Sequence, residues 1–269
     1  NVRVLIAGGL LLAYAAAQRR VPAFRRYWKQ YAIIALVNTA MPFTLISAAE
    51  LHLTASLATI LNATTPLFGA LVAAIWLHER LTPARVAGLL LGLLGVAVLV
   101  GWSPLPLTPI TFLSAGASLA AALCYGVATV YIKRSFTGQS STALATGQLL
   151  GAGVLMIPLT VPAVLVSPPA APFAPAAIIS VLGLAIFCSA LAYLLYFRLV
   201  ERVGPTKTLS VSFLVPIWGL LWSALFLPEP TRPGTFIGLA IILASMALVT
   251  GMRVPLPAFM RGRRAAECP

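Results

Sequence analysis

Nine apolar segments follow one another along the 269-residue chain, separated by short linkers that carry charged residues or proline. Most reach the roughly 20 residues that a helix needs to cross the hydrocarbon core of a bilayer. The alternation of apolar and polar residues that indicates β-strands is not sustained anywhere in the sequence. The sequence therefore predicts an all-α membrane protein. Its segments are Val2 to Ala17, Tyr31 to Ala49, Thr54 to Leu77, Pro83 to Gly101, Pro109 to Ile132, Thr142 to Val166, Pro175 to Val200, Thr206 to Leu227, and Pro233 to Met252.

The composition excludes the main alternatives to a membrane protein. Hydrophobic residues make up 60% of the chain, charged residues only 9%, and the five acidic residues include no Asp. Soluble domains have about 45–50% apolar and about 25% charged residues, and disordered chains have low hydrophobicity. An ordinary soluble domain and a disordered tail are therefore both excluded.

The net charge of +13 predicts the topology of the segments in the membrane. Such a charge can indicate nucleic-acid binding, but these basic residues do not form one patch, so no nucleic-acid partner is expected. Sixteen of the 18 Lys and Arg residues lie in the odd-numbered linkers or the C-terminal tail, and the exceptions are Arg3 and Arg232. Because cytoplasmic loops are rich in Lys and Arg, we expect these linkers and the C-terminus in the cytoplasm. The start of this chain then lies in the periplasm.

A shift of 150 residues aligns two parts of the chain without a gap. Nine identities fall within the 24 positions from Pro66 to Leu89, and they include two prolines, two glycines and a glutamate. Since the shift spans five segments, an odd number, the second copy has the opposite orientation in the membrane. Inverted repeats of this kind are typical of transporters, which bind substrate near the midplane at the repeat interface. The paired residues are Pro66 with Pro216, Gly69 with Gly219, Leu71 with Leu221, Ala74 with Ala224, Leu77 with Leu227, Glu79 with Glu229, Pro83 with Pro233, Gly88 with Gly238, and Leu89 with Leu239.

The beginning of the chain predicts a further helix before it. The first residue is Asn1, and the apolar run Val2 to Ala17 is short for a span. Two complete five-helix repeats also need one more helix at the front. We therefore expect a preceding helix that is absent from this chain, with a cleaved signal peptide as the alternative.

Residues 62–100 (NATTPLFGALVAAIWLHERLTPARVAGLLLGLLGVAVLV) resemble the second half of a repeat of the EamA family, in the drug/metabolite transporter superfamily. The shared pattern is a mid-helix proline, an acidic residue at the helix end and a glycine-rich last helix. Phe213 to Val249 repeats it more loosely, and Pro228-Glu229-Pro230 replaces His78-Glu79-Arg80 there. The resemblance implies a ten-helix carrier of two inverted repeats. The first repeat would be residues 1–101, lacking its first helix, and the second residues 109–252, followed by the basic tail 253–269.

The resemblance also implies a function. We expect a bacterial inner-membrane exporter of small metabolites, with amino acids as the best guess because YddG-like amino-acid exporters are similar. Transport would be by alternating access, through a cavity lined mainly by the second, third, fifth, seventh and eighth segments and the missing first helix. The alternatives are proton-coupled multidrug or metabolite efflux and, more distantly, a membrane enzyme or receptor. No cofactor or metal site is expected, since the cysteines and histidines have no ligand spacing.

Two prolines mark candidate gates. A proline inside a helix leaves the carbonyl four residues earlier without its usual donor, which is the carbonyl of Asn62 for Pro66 and that of Ser212 for Pro216. With Thr59, these residues form polar, small-residue faces at the midplane of each repeat. They are interpreted as substrate-contacting gates, and tight helix packing is an equally good reading.

Other polar and aromatic residues are candidates for the cavity. Asn38, Tyr125, Tyr193 and Trp218 lie deep within their segments, and aromatic rings suit aromatic or cationic substrates. Core packing is the alternative for each of them. Gln148 is expected to form an interhelical hydrogen bond. The glycines are expected to pack the repeats together in a monomer, with a homodimer as the other possibility. They are Gly88, Gly92, Gly95, Gly234 and Gly238.

The acidic residues favour uncoupled transport. Proton-coupled carriers usually keep a carboxylate within the membrane, but no charged residue lies clearly at the centre of a segment. Glu79 and Glu229 lie at helix ends, where linker salt bridges or caps are the favoured reading. We therefore expect facilitated diffusion.

Overall fold

The structure is a computed structural model that describes residues 1–251 except 20, 80, 103–105, 107, 137, 167–173, 204–210 and 227–232. Glu229 and the tail 253–269 therefore lie outside the described residues. The described part forms nine helical segments and no strands, so the predicted all-α fold is confirmed. They are α1 (Val2–Ala17), α2 (Phe24–Ala49), α3 (Ala55–Trp76), α4 (Pro83–Gly101), α5 (Pro109–Ser135), α6 (Ser141–Leu155 and Ile157–Val166), α7 (Pro175–Ala185, Ile186–Leu191 and Ala192–Val203), α8 (Val211–Phe226) and α9 (Pro233–Thr250).

Helix starts follow from local sequence. Thr82, Thr108 and Ser140 each accept a hydrogen bond from a backbone N–H of the first turn, which is how these residue types cap helices. The helices α4, α5, α7 and α9 begin with proline, which has no N–H to leave unpaired. Predicted and observed starts agree for all four of these helices. By contrast, α2 begins at Phe24, seven residues before the predicted Tyr31, because the basic linker is itself helical.

Four of the nine helices are interrupted. A π-helical turn occupies Leu36–Ala40 in α2, and another occupies Ile186–Leu191 in α7. In α3, Ala63 and Thr64 separate the pieces Ala55–Asn62 and Thr65–Trp76. The two pieces of α6 are bent by 42°. The sequence analysis predicts only the interruption at Pro66; the bend of α6 lies beside Pro158, a proline that could have indicated it.

The helices account for most of the predicted membrane spans. Among the described residues, six helices are long and apolar enough to cross a membrane, and the bent α6 makes a seventh if its pieces form one span. The remaining two, α1 and α8, are shorter apolar helices. Large apolar side chains on the outer faces are exposed, as expected for contact with lipid.

The 150-residue repeat is visible in the backbone. The π-turn of α2 begins at Leu36 and that of α7 at Ile186, 150 residues later. Helices also contact their own counterparts, because α4 packs on α9, α3 on α8 and α1 on α6. The two copies therefore share an irregular backbone feature, which chance similarity of apolar residues does not explain.

Buried apolar side chains form two separate cores. One lies among α1, α2 and α6 and includes Leu11, Ile34 and Leu149. The other lies among α3, α4, α8 and α9 and includes Leu61, Leu99 and Ile242. The central helix α5 packs against both α2 and α3.

Candidate functional site

Gln148 is the centre of a buried polar cluster. Its carbonyl oxygen Oε1 accepts a hydrogen bond from Asn38 Nδ2 at 3.0 Å, and its Nε2 donates to Thr39 Oγ1 at 3.0 Å. Gln148 and Thr39 are fully buried. The amide therefore makes the interhelical hydrogen bonds that its position predicts, and it joins α6 of the second repeat to α2 of the first.

Both π-turns border this cluster, which we call the Gln148 cluster. Asn38 and Thr39 lie within the π-turn of α2, and Tyr193 follows the π-turn of α7 by two residues. The side chain of Tyr193 makes hydrogen bonds with Thr39 and Gln148. π-Turns inside α-helices are frequent at functional sites. The cluster thus brings one irregular turn from each repeat to a single place.

Tyr125 and Tyr193 lie near one another, because their side chains interact electrostatically. Both tyrosines lie deep among other residues yet keep some accessible surface. Three sequence-predicted residues, Asn38, Tyr125 and Tyr193, are therefore brought near one another.

Arg3 is a charged residue of this region that the sequence interpretation missed. Its guanidinium carbon lies 4.7 Å from the ring centroid of Phe43. It is also close enough to Tyr125 and Tyr193 to interact electrostatically with both side chains. The count of linker charges treats Arg3 as part of the periplasmic start of the chain. The signal that could have identified it is a lone Arg within an apolar helix face.

A second group of predicted residues lies where α3 is interrupted. The carbonyl freed by Pro66 belongs to Asn62, and it accepts a hydrogen bond from Thr65 Oγ1 at 2.7 Å. The Asn62 side-chain oxygen Oδ1 is buried without a hydrogen-bond partner. Such an acceptor is costly to bury unless a ligand or water completes it. At this break the backbone carbonyl of Asn62 therefore has a hydrogen-bond donor, whereas the side-chain oxygen of Asn62 has none.

Thr59 joins this second group to α8. Its hydroxyl donates to the carbonyl of Ala55 at 2.7 Å, and its methyl group packs against Gly219. A Cβ at Gly219 would lie 2.5 Å from Thr59 Cγ2, so only glycine fits there. Thr59 and Asn62 thus belong to the α3–α8 contact.

The α8 candidates are placed differently from one another. Pro216 is buried, but α8 continues through it as an uninterrupted helix, unlike α3 at Pro66. Trp218 is 48% exposed and stacks on Trp222, with ring centroids 5.9 Å apart. Ser212 lies in the backbone of α8, and its side chain is outside the described part. Pro216, Trp218 and Ser212 remain predictions.

Glu79 lies in the linker between α3 and α4 and forms two ion pairs. Its carboxylate oxygens lie 3.2 Å from Lys133 Nζ and 3.4 Å from Arg85 Nη1. The hydrogen bond from Lys133 is the main reason that the pKa of Glu79 lies below its usual value, with Arg85 adding to the effect. Glu79 is therefore a linker carboxylate held ionised by two cations, away from the Gln148 cluster.

Comparison with known families gives a match over most of the chain. The sequence profile of the EamA-like transporter family matches residues 1–101 and 112–251.

Individual relatives agree with the family match. The "Uncharacterized transporter YvbV" of Bacillus subtilis (strain 168) is 29% identical over 253 residues, covering 93% of this chain and 80% of the relative. The "Probable terminal-alkyne amino-acid exporter" of Streptantibioticus cattleyicolor is 30% identical over 206 residues, covering 76% of this chain and 67% of the relative. One crystal structure superposes on 93% of this chain and 85% of its own with a TM-score of 0.63; at 22% identity, it indicates the fold alone.

Proposed function

The chain belongs to the EamA-like transporter family, and from this premise we propose that it exports amino acids or similar small metabolites by facilitated alternating access. That the protein is a membrane transporter follows from the family. The substrate class, the direction and the absence of a coupling ion are the proposal. The relative named as an amino-acid exporter supports the choice of substrate class.

The Gln148 cluster is the observation that carries this proposal. Amide and hydroxyl groups from α2, α6 and α7 meet at one place, beside the rings of Tyr125 and Tyr193. Polar side chains in hydrocarbon are costly, and they mark substrate pathways where they are found. A small zwitterion needs both donors and acceptors, and this cluster would supply them, together with aromatic surface, once its own hydrogen bonds open.

Alternating access needs a helix that can change its bend. The break in α3 supports such a role, because Thr65 replaces the missing backbone donor for Asn62. The unpaired Oδ1 of Asn62 lies at the same break and gives a substrate ammonium an acceptor. Rocking of the second half of α3 would thus be coupled to binding at Asn62.

Uncoupled transport is favoured by where the described carboxylates lie. The glutamates with described side chains, Glu50 and Glu79, both lie at helix ends rather than in the Gln148 cluster. Proton-coupled efflux would use a carboxylate within the membrane. We therefore propose facilitated diffusion, and an imposed pH gradient distinguishes the two mechanisms.

We also propose the topology that the linker charges predict. The odd-numbered linkers and the C-terminus would lie in the cytoplasm of a bacterial cell, and the two repeats would span residues 1–101 and 109–252. Alkaline phosphatase fused to the C-terminus should be inactive and green fluorescent protein fused there should be fluorescent. The reverse result would contradict this orientation.

The direct test is uptake of radiolabelled amino acids into proteoliposomes, with and without a pH gradient. We expect at least one amino acid to equilibrate faster than in empty vesicles, with no accumulation driven by protons. Asn62→Leu and Ser212→Ala should lower the rate at least tenfold, whereas Thr129→Val, at an exposed hydroxyl bonded within its own helix, should not. Proton-driven accumulation would overturn facilitated diffusion, and normal transport by both variants would overturn the roles of Asn62 and Ser212.

A further inference from the structure

Arg3 lies in the first turn of the apolar helix α1. Its guanidinium comes near the Gln148 cluster, because it interacts electrostatically with Tyr125 and with Tyr193, which is hydrogen-bonded in that cluster. A guanidinium among apolar helices is expensive to keep.

The surroundings of Arg3 leave its hydrogen-bonding edge available. Among the described residues, the ion pairs both involve Glu79, and neither includes Arg3. Its guanidinium carbon lies 4.7 Å from the ring centroid of Phe43, and the hydrogen bonds of the described residues do not include Arg3. The nearby tyrosines are neutral, and Tyr193 has its hydroxyl in hydrogen bonds with Thr39 and Gln148.

The repeat explains how two aromatic rings come to this place. Phe43 and Tyr193 are 150 residues apart, so they are equivalent positions of the two copies. Each follows the π-turn of its helix; the ring of Phe43 contacts the Arg3 guanidinium, and Tyr193 lies near enough to interact with it electrostatically. Arg3 therefore lies near equivalent positions of the two repeats, and carriers built from inverted repeats bind substrate at the repeat interface.

We propose that Arg3 binds the carboxylate of the transported substrate and so restricts the carrier to small molecules that bear one. Guanidinium presents its donors in a planar fork that matches the two oxygens of a carboxylate. The bound carboxylate supplies the negative charge that the described part of the site lacks. This inference rests on the proposed function and names the residue that sets its substrate class.

Ligand-induced thermal stabilisation in detergent tests the inference without requiring transport. The probes are L-leucine and L-phenylalanine, each compared with its amide, which keeps the ammonium and side chain but has no carboxylate. The wild-type protein should be stabilised by whichever acid it transports and at least tenfold less effectively by the amide. Arg3→Gln should bind the acid at least tenfold more weakly and should no longer distinguish it from the amide.

Two further variants separate recognition from folding. Arg3→Lys keeps the charge but not the planar fork, so it should fold like the wild type and bind the acid several-fold more weakly. Arg198→Gln is the control, because Arg198 also contacts an aromatic ring, that of Tyr14. Since this contact lies at a helix end, the Arg198→Gln variant should bind the acid like the wild type.

The outcomes distinguish two failures. If the wild type neither binds nor transports any amino acid, the proposed function fails. If it transports amino acids but binds acid and amide equally, or if Arg3→Gln keeps the wild-type affinity, the function stands and the role of Arg3 is refuted. Equal binding of acid and amide by the wild type refutes the role of Arg3 even where Arg3→Gln does not fold, and weaker binding of the acid by Arg3→Lys then supports the role of Arg3 itself.

Discussion

The two repeats meet in two chemically different ways. Between α4 and α9, glycines let the backbones approach so closely that a Cβ at Gly238 would lie 2.8 Å from Leu99 Cβ. A Cβ at Gly88 would lie 2.7 Å from Val249 Cγ2. Between α6 and α2, glycine contacts also occur, but Gln148 adds hydrogen bonds to Asn38 and Thr39.

The difference suggests different roles for the two contacts: the α4–α9 contact stays fixed, whereas the hydrogen bonds between α2 and α6 can be exchanged during transport. Close packing at glycines has a poor substitute in lipid, since acyl chains fit the helix surface less closely than a complementary helix and van der Waals energy is lost on separation. Hydrogen bonds of amides and hydroxyls can instead be exchanged for bonds to a substrate. We therefore expect α4–α9 to hold the repeats together and the Gln148 cluster to be where they open.

Gly238→Leu should have the largest effect on folding. The added side chain would meet Leu99 Cβ at 2.8 Å and the backbone Cα of Leu99 at 3.0 Å, which cannot move aside without separating the helices. Overpacking of this kind costs about 3 kcal/mol. We expect a large drop in melting temperature in detergent and little monodisperse protein. Gly116→Leu, where a Cβ meets no atom within 4 Å, is the matched control.

Gln148→Leu should separate stability from transport. Leucine removes the interhelical hydrogen bonds of Gln148 with Asn38, Thr39 and Tyr193 and leaves the Asn38 amide without this partner. Hydrogen bonds between membrane helices contribute about 0.6–2 kcal/mol each, so the protein should fold at a lower melting temperature and lose most transport. Thr146→Val, which removes a buried hydroxyl bonded within α6, should keep transport. Full activity of Gln148→Leu would mean that the cluster is structural only.

Apolar length and linker chemistry predicted most of the fold. The starts of α4, α5, α7 and α9 follow from proline at the first position, and α1 has the predicted bounds. The π-turns were not predicted, because an extra residue in a helical turn changes neither composition nor overall apolar character. Their spacing of 150 residues becomes informative only once the structure shows both.

The site was predicted in part, for a different physical reason. Asn38, Tyr125 and Tyr193 were selected as polar or aromatic residues deep in apolar segments, and the structure brings them together. Arg3 was missed because a charge near a segment end is assigned to a linker, whereas a long side chain reaches several ångströms along the helix. Which deep residues share one place depends on helix rotation, which apolar segments alone do not specify.

Thr65→Val should have a moderate effect and test the break in α3. Valine is isosteric but cannot donate to the Asn62 carbonyl, which Pro66 also leaves without a donor. The free energy of unfolding should fall by about 1 kcal/mol. The rate of transport should change more than the substrate affinity. Thr129→Val removes a hydroxyl bonded four residues back in a regular helix and serves as control. Equal rates for both variants would contradict a hinge at this break.

Glu79→Gln should have the smallest effect, although Glu79 also joins the repeats through Lys133 on α5. The side chains of Glu79 and Lys133 are 36% and 66% exposed, so water and salt screen their attraction. Such surface pairs contribute under about 1 kcal/mol. The variant should therefore melt close to the wild type and keep transport.

The pH dependence gives this last prediction its sign. The pKa of Glu79 lies below its usual value of 4.5 in the folded protein, so its ion pairs stabilise the fold fully above pH 4.5. That stabilisation disappears as pH falls through the lowered pKa. The difference in melting temperature between wild type and Glu79→Gln should thus be constant near neutrality and vanish in acid. A loss as large as that of Gly238→Leu would instead make this linker, and not only the glycine contact, a principal attachment between the repeats.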